Sequence, residues 1–307
     1  MDFKEKNLII ILGPTGVGKS LTSIKLAKKL QGEIINCDSM QVYKGFDIGT
    51  DKLLLDKRES IPHHLLDIIE PSTQFTAADF AELSLKAISH ILKKKKLPII
   101  VGGTGLYLKA LLDGLFPGPG RNSKLRQKLE KRASEEGLDS MRKKLREVDH
   151  EYSQKIGKKD KMRIIRALEV FYLTQKPITE HFLKTESFVK DFNIIIIGLK
   201  LNRKELYKRI EERVDKMFKR GIINEVEALL EKGANENSPP FRALGYKYVL
   251  KFLKNEMSLE EAISLTKRDT RRYAKRQFVW FKKMKGIQWF SPYDFSSLAN
   301  YVKKNLK

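Results

Sequence analysis

Residues Ile11 to Ser20 read ILGPTGVGKS. Gly13, Gly18, Lys19 and Ser20 keep the spacing G-x-x-x-x-G-K-[ST] between an apolar run and a helical pattern, the setting in which such a turn holds phosphate. Glycines let backbone N–H groups point inward at phosphate oxygens, so the stretch Gly13, Pro14, Thr15, Gly16, Val17, Gly18 forms the cradle. The following helix dipole favours an anion, Lys19 supplies a point charge, and the Ser20 hydroxyl can ligate Mg²⁺. The loop is therefore read as a holder for a di- or triphosphate, and taken alone it suggests ATP.

What happens to that phosphate depends on neighbouring residues. Hydrolases of nucleoside triphosphates place a Mg²⁺-binding Asp at the end of an apolar strand, yet the run LPIIVGGTG ends in Gly102, Gly103 and Thr104. The acidic strand-end residue is instead Asp38, in EIINCDSMQVY. Strand ends of an open α/β sheet share one crevice with the loop, so Asp38 is placed to ligate magnesium or to act as a general base. An Asp after a strand also caps helices and turns, and Thr104 can equally close a turn onto the backbone. Arg203, Arg209 and Arg213 lie in a later helical pattern, Arg209 and Arg213 on one face. Spacing does not choose among them.

The chain of 307 residues has 61 Lys and Arg against 38 Asp and Glu, a formal charge of +23. That excess repels itself and suits an extended polyanion; a generally lysine-rich composition is the plainer source. Cys37 is the single cysteine, so no intramolecular disulfide or cysteine zinc site forms. His63, His64, His90, His150 and His181 lack helix-face ligand spacing. The apolar runs LIIIL and IIIIGL are far shorter than the ~20 residues of a membrane helix. A soluble, cytoplasmic, monomeric protein is expected.

Leu8 to Leu12, Glu33 to Asn36, Pro98 to Val101 and Asn193 to Leu199 read as buried parallel strands. Helical patterns lie between them, notably Leu21 to Leu30 and TAADFAELSLKAISHILKKKK. This alternation predicts an α/β fold, a parallel sheet flanked by helices. Some ninety residues separate the third and fourth strands, opening with FPGPGRNS and continuing as charged helical sequence. We read residues 118–190 as an all-helical insertion domain, and 1–117 with 191–307 as the phosphate-loop core with a helical C-terminal part. ELYKRIEERVDKMFKRGIINEVEALLEKG reads as one long amphipathic pattern, and TKRDTRRYAKRQFVWFKKMKG mixes basic and aromatic residues.

The ordered set GPTGVGKS, CDSMQVYKGFDIGTDK, PHHLLDIIEP, FTAADF, PIIVGGTGLYLKALLDGL, RIIRALEVF, RALGYK and TRRYAKRQFVWF resembles bacterial tRNA dimethylallyltransferases. The likeness runs from Leu8 to about Trp280. It implies a P-loop NTPase-like core and transfer of a dimethylallyl group from dimethylallyl diphosphate to N6 of the adenosine 3′ of the anticodon. The loop would then cradle a departing diphosphate, with Mg²⁺ as cofactor. By the same resemblance Asp38 is the general base, Thr15 and Thr104 belong to the site, and Arg213 holds the diphosphate. The anticodon stem-loop of tRNA would be gripped by Asp38, Ser39, Met40, Gln41, Thr104, Arg126 and the segment Met162, Arg163, Ile164, Ile165, Arg166. Many relatives carry Gln where this chain has Met162, and Ile164 and Ile165 read as helix core. Prenylation of free adenine nucleotides and small-molecule phosphorylation are the competing readings; a purely RNA-binding role leaves the loop unused.

Overall fold

The computed structural model describes residues 6–116 and 118–307. The chain folds as two compact units, Met1–Ala110 with Asp191–Lys307, and Leu111–Lys190. In the first unit the elements run β1 (Asn7–Leu12), α1 (Lys19–Leu30), β2 (Gly32–Cys37), β3 (His63–His64), α2 (Ala77–Lys93), β4 (Leu97–Gly102) and α3 (Gly105–Asp113). The second unit carries α4 (Ser123–Glu135), α5 (Leu138–Val148), α6 (His150–Lys155), α7 (Lys161–Thr174) and α8 (Ile178–Phe182). The chain then returns through β5 (Asn193–Leu199), α9 (Arg203–Lys219), α10 (Ile222–Glu231), α11 (Leu244–Leu253), α12 (Leu259–Phe281), β6 (Ile287–Phe290) and α13 (Phe295–Asn305). The second unit opens at Leu111, inside α3, rather than at 118.

The strands form one all-parallel sheet in the order β3-β2-β4-β1-β5-β6. Every residue of β1, β2 and β4 is buried, as a sheet covered by helices on both faces requires, and their Ile-rich sequences supply side chains suited to that packing. Ile9, Ile11, Ile34, Ile99, Val101 and Ile197 join Ile24, Leu26 and Ala27 of α1 in the main core. The sheet carries two edge strands that apolar runs do not announce. β3 is two histidines long, held on Ile34 and Ile35, and β6 is the four residues IQWF.

Two helix boundaries matter for the site. α1 is capped at its N-terminus by Gly18, whose φ of 104° is a left-handed conformation that an L side chain rarely adopts. The long amphipathic pattern after β5 breaks into α9 and α10 at Gly221, φ 90°. α10 and α11 can then pack Val226, Ile222, Tyr246 and Val249 around Val42, Tyr43 and Phe46. This second apolar cluster supports the segment after β2.

The second unit has its own core of Leu129, Met141, Leu145, Ile164, Ile165, Leu168 and Ile178. Asn122 and Asp160 cap α4 and α7, accepting from Leu125 N and Arg163 N. Among the described residues no helix is long and apolar enough to cross a membrane.

Candidate active site

The phosphate loop is already closed around its own lysine. Lys19 Nζ donates to the carbonyls of Gly13 and Pro14 at 2.9 Å each. Its burial lowers the pKa to about 8, an effect opposed by the nearby Asp38 carboxylate and reinforced by Arg213. The loop thus holds a desolvated cation, and a dianionic ligand beside Lys19 would reverse that shift.

Asp38 follows the end of β2, two strands from the loop, with β4 between them. Its Oδ1 accepts from Met40 N at 2.9 Å, an Asx-type turn. Among the described residues Oδ2 has no hydrogen-bond partner. Thr104 Oγ1 accepts from Ser39 N at 3.1 Å, so Thr104 fixes the turn that carries Asp38. Both turn roles open in the sequence are realised, and Asp38 keeps a free carboxylate oxygen besides.

The end of the intervening β4 is packed tightly between β2 and α12. A Cβ on Gly102 would lie 2.0 Å from Cys37 O, and one on Gly103 would lie 2.2 Å from Gln277 Nε2. The GGT strand end is therefore a steric requirement, imposed from one side by β2 and from the other by α12.

Of the three arginines, Arg213 alone hydrogen-bonds the loop. Its Nη1 donates to Thr15 Oγ1 at 2.6 Å and its Nη2 to Thr50 O at 3.3 Å. Nε lies 3.1 Å from Asp51 Oδ2, an ion pair without hydrogen-bond alignment, since that nitrogen is buried and unsatisfied. Arg203 stacks on Tyr207. Arg209 bonds Tyr293 Oη at 2.5 Å and stacks on its ring, yet still lines the cleft below the loop.

Two cavities meet at these residues. A cleft of about 780 Å³ is lined by Gly16, Gly18, Lys19, Ser20, Asp38 and Arg213 among others, and a second of about 330 Å³ by Ser39, Met40, Met217, Arg242, Leu244 and Tyr273. Thr15, Asp38 and Arg213 belong to the walls of both. The arrangement lets one reactant lie along the phosphate loop and another approach from the far side, with a carboxylate, a hydroxyl and a guanidinium where they meet.

Sequence reasoning missed what braces this site. Glu225 of α10 accepts from Ile48 N at 2.8 Å and from Asp47 N at 3.1 Å, and Tyr246 Oη donates to it at 2.5 Å. Gly49 N in turn donates to Tyr246 Oη at 3.0 Å. Burial first, and then the Glu225 charge, raise the Tyr246 pKa and keep the phenol a donor. This carboxylate thus holds the 47–51 turn that presents Thr50 and Asp51 to Arg213. Gln277, buried on α12, ties Thr15 N to Gly103 O; a polar residue at a core-facing helix position was the signal for it.

In the second unit Met162 and Arg163 are exposed, Arg163 pairing with Asp160 at 3.2 Å. Ile164 and Ile165 are 0% and 1% exposed, so as RNA contacts they are corrected: their side chains fill the core and offer none. Arg166 Nη1 and Arg126 turn to the fully buried Glu169, at 2.8 and 3.7 Å. Glu169 also accepts from Asn122 N, so these arginines anchor the entry of α4.

Residues 41–284 match the sequence model of the IPP transferase family. The chain is 44% identical over 302 residues to the tRNA dimethylallyltransferase of Acetivibrio thermocellus, covering 98% of this chain and 96% of that one. Among solved structures, it is similar to the full-length tRNA isopentenylpyrophosphate transferase of Bacillus halodurans, with TM-score 0.73, 37% identity and coverage of 98% and 97%. It is also similar to a eukaryotic dimethylallyltransferase solved acting on tRNA, with TM-score 0.81, 33% identity and coverage of 98% of this chain and 77% of that one. With the family model spanning most of its length and relatives alike from end to end, the chain belongs to the IPP transferase family.

Proposed function

We propose that the protein transfers a dimethylallyl group from dimethylallyl diphosphate to N6 of the adenosine 3′-adjacent to the anticodon of tRNA. The observation that carries this is the shared wall of Thr15, Asp38 and Arg213 between two cavities. A phosphate loop facing a second organic reactant across a carboxylate suits displacement at carbon, in which the diphosphate leaves.

In that reaction the N6 lone pair forms a bond to C1 of the dimethylallyl group, and the C1–O bond breaks with its electron pair going to diphosphate. The proton on N6 goes to Asp38 Oδ2, the oxygen not committed to Met40 N. Backbone N–H groups from Gly16 to Lys19, the Lys19 ammonium and the Arg213 guanidinium stabilise the negative charge gathering on the leaving oxygen. Arg213 also holds Thr15 at the junction, so leaving-group stabilisation and alignment share one residue.

Among the described residues no three His, Cys, Asp or Glu side chains converge as a metal cage. The Ser20 hydroxyl at the head of α1, which lines the cleft, fits Mg²⁺ held chiefly through substrate phosphates and water. When bound there, Mg²⁺ would supply charge neutralisation for the departing diphosphate.

The acceptor base must leave the anticodon stack to reach the second cavity. Arg242, Tyr273 and Arg276 at that cavity supply cations and a ring for the RNA, and Arg163, exposed on the helical insertion, offers that unit a cation of its own. The +23 charge favours this over prenylation of free nucleotides, whose charge needs no such field.

The test supplies dimethylallyl diphosphate labelled in its isoprenoid with unmodified tRNA, AMP or no acceptor. Label on the adenosine beside the anticodon is expected. An unlabelled tRNA together with γ-phosphate transfer from ATP overturns the proposal in favour of a kinase.

A further inference from the structure

Gln277 is 6% exposed on α12, at a position where Ala274 and Phe281 on the same face are fully buried. Its Oε1 accepts from Thr15 N at 2.8 Å and its Nε2 donates to Gly103 O at 2.9 Å. The orientation of the amide is forced, because one neighbour is only a donor and the other only an acceptor. Tyr273, one helical turn before Gln277 on α12, lines the second cavity with Asp38. One side chain therefore touches both the phosphate loop and the end of the strand between loop and acid.

We infer that Gln277 is a positioning residue for the transfer reaction, setting the distance between the phosphate loop and the Asp38 turn. Thr15 N–H is spent on Gln277, so the anion cradle begins at Gly16 and the leaving group is held one residue further from the strand end. Gly103 O, pinned by the same amide, fixes the turn whose next residue, Thr104, holds Ser39 beside Asp38. Donor and base are thereby referred to one rigid helix instead of to two separate loops. A misplacement of about 1 Å between reacting atoms costs on the order of 10²-fold in rate, and an amide with both ends committed is the device that prevents it. The inference rests on the transfer reading above.

The test is the Gln277→Glu variant, nearly identical in shape. Its carboxylate still accepts from Thr15 N but meets Gly103 O with a second acceptor; protonated, it regains the donor. At about pH 8 the expected kcat is on the order of 10²-fold below wild type, with donor and tRNA affinities close to wild type. As the pH falls toward about 5.5, burial and the facing carbonyl favour the protonated carboxyl, and the variant-to-wild-type ratio of kcat is expected to climb. Gln277→Leu, which has neither bond, should lose kcat comparably with a ratio that stays flat.

A folded Gln277→Glu protein with wild-type kcat at pH 8, or a depressed ratio indifferent to pH, overturns the inference. Should that variant not fold, Gln277→Leu decides: lost kcat with retained affinities supports positioning, and equal loss of both overturns it. Wild-type enzyme in the same assay separates the two levels, since absence of transfer there defeats the transfer reading itself.

Discussion

Arg213 and Thr15 are 198 positions apart in sequence, yet Nη1 of one donates to Oγ1 of the other at 2.6 Å. The bond joins α9 to the phosphate loop at the meeting point of the two cavities. Arg213→Lys keeps the charge but cannot span Thr15, Thr50 and Asp51 at once. Single-turnover transfer should fall on the order of 10²-fold, with tRNA retention on filters little changed. Arg209→Ala, which removes a cation already engaged by Tyr293, should cost far less.

Asp38→Asn retains an acceptor for Met40 N, so the turn is expected to survive while the base is lost. Transfer should drop by roughly 10²- to 10⁴-fold, and tRNA affinity should hold. Parallel loss of affinity and turnover in this variant would assign Asp38 to recognition instead.

Lys19 gives the pH dependence of donor binding its sign. Its pKa of about 8 in the free protein leaves it charged below that pH and progressively neutral above. Bound diphosphate favours the ammonium, so binding takes up a proton near pH 8 and weakens about tenfold per pH unit beyond it. Calorimetric titration in buffers of different ionisation enthalpy measures that uptake directly. For the protein without donor the linkage has the opposite use: the unfolded chain holds this proton up to the ordinary lysine value, so raising pH from about 8 relieves the cost of burying it.

Removing Glu225 tests the brace. Glu225→Ala leaves the N–H groups of Asp47 and Ile48 and the Tyr246 hydroxyl without their acceptor, and chemical denaturation should show a loss of about 2–3 kcal/mol. Because the 47–51 turn presents Thr50 and Asp51 to Arg213, kcat should fall as well. Tyr246→Phe, which removes one donor and leaves the carboxylate in place, should be milder on both counts.

Arg163→Ala is the corresponding experiment on the helical insertion. Loss of one phosphate contact lowers the salt dependence of tRNA binding by close to one unit of slope, with little change in selectivity among tRNAs. Unchanged slope would remove Arg163 from the RNA surface.

The loop, Asp38 and the inner strands were legible because each has a local signature: fixed glycine spacing, an acid after an apolar run, or continuous burial. β3 and β6 were not, since two histidines and IQWF become strands only by adding to the edges of a sheet already formed. Arg213 could not be separated from Arg203 and Arg209 by spacing, as all three are helix-borne cations. The choice is made by Thr50 and Asp51, on a turn far away in sequence. Gln277 was hidden for a related reason, being one polar letter in a string of basic and aromatic ones. Ile164 and Ile165 show the converse, where periodicity alone identified core residues within a segment carried over for RNA contact.

The end of β4 has a consequence for what this sheet can become. Gly102 and Gly103 leave no room for a side chain, since a Cβ would run into Cys37 O of β2 or Gln277 Nε2 of α12. The same strand end is where phosphate-hydrolysing relatives of the loop carry a carboxylate. A chain of this design cannot acquire that acid at either position without displacing β2 or α12, so the packing that seats Asp38 excludes the hydrolase arrangement there.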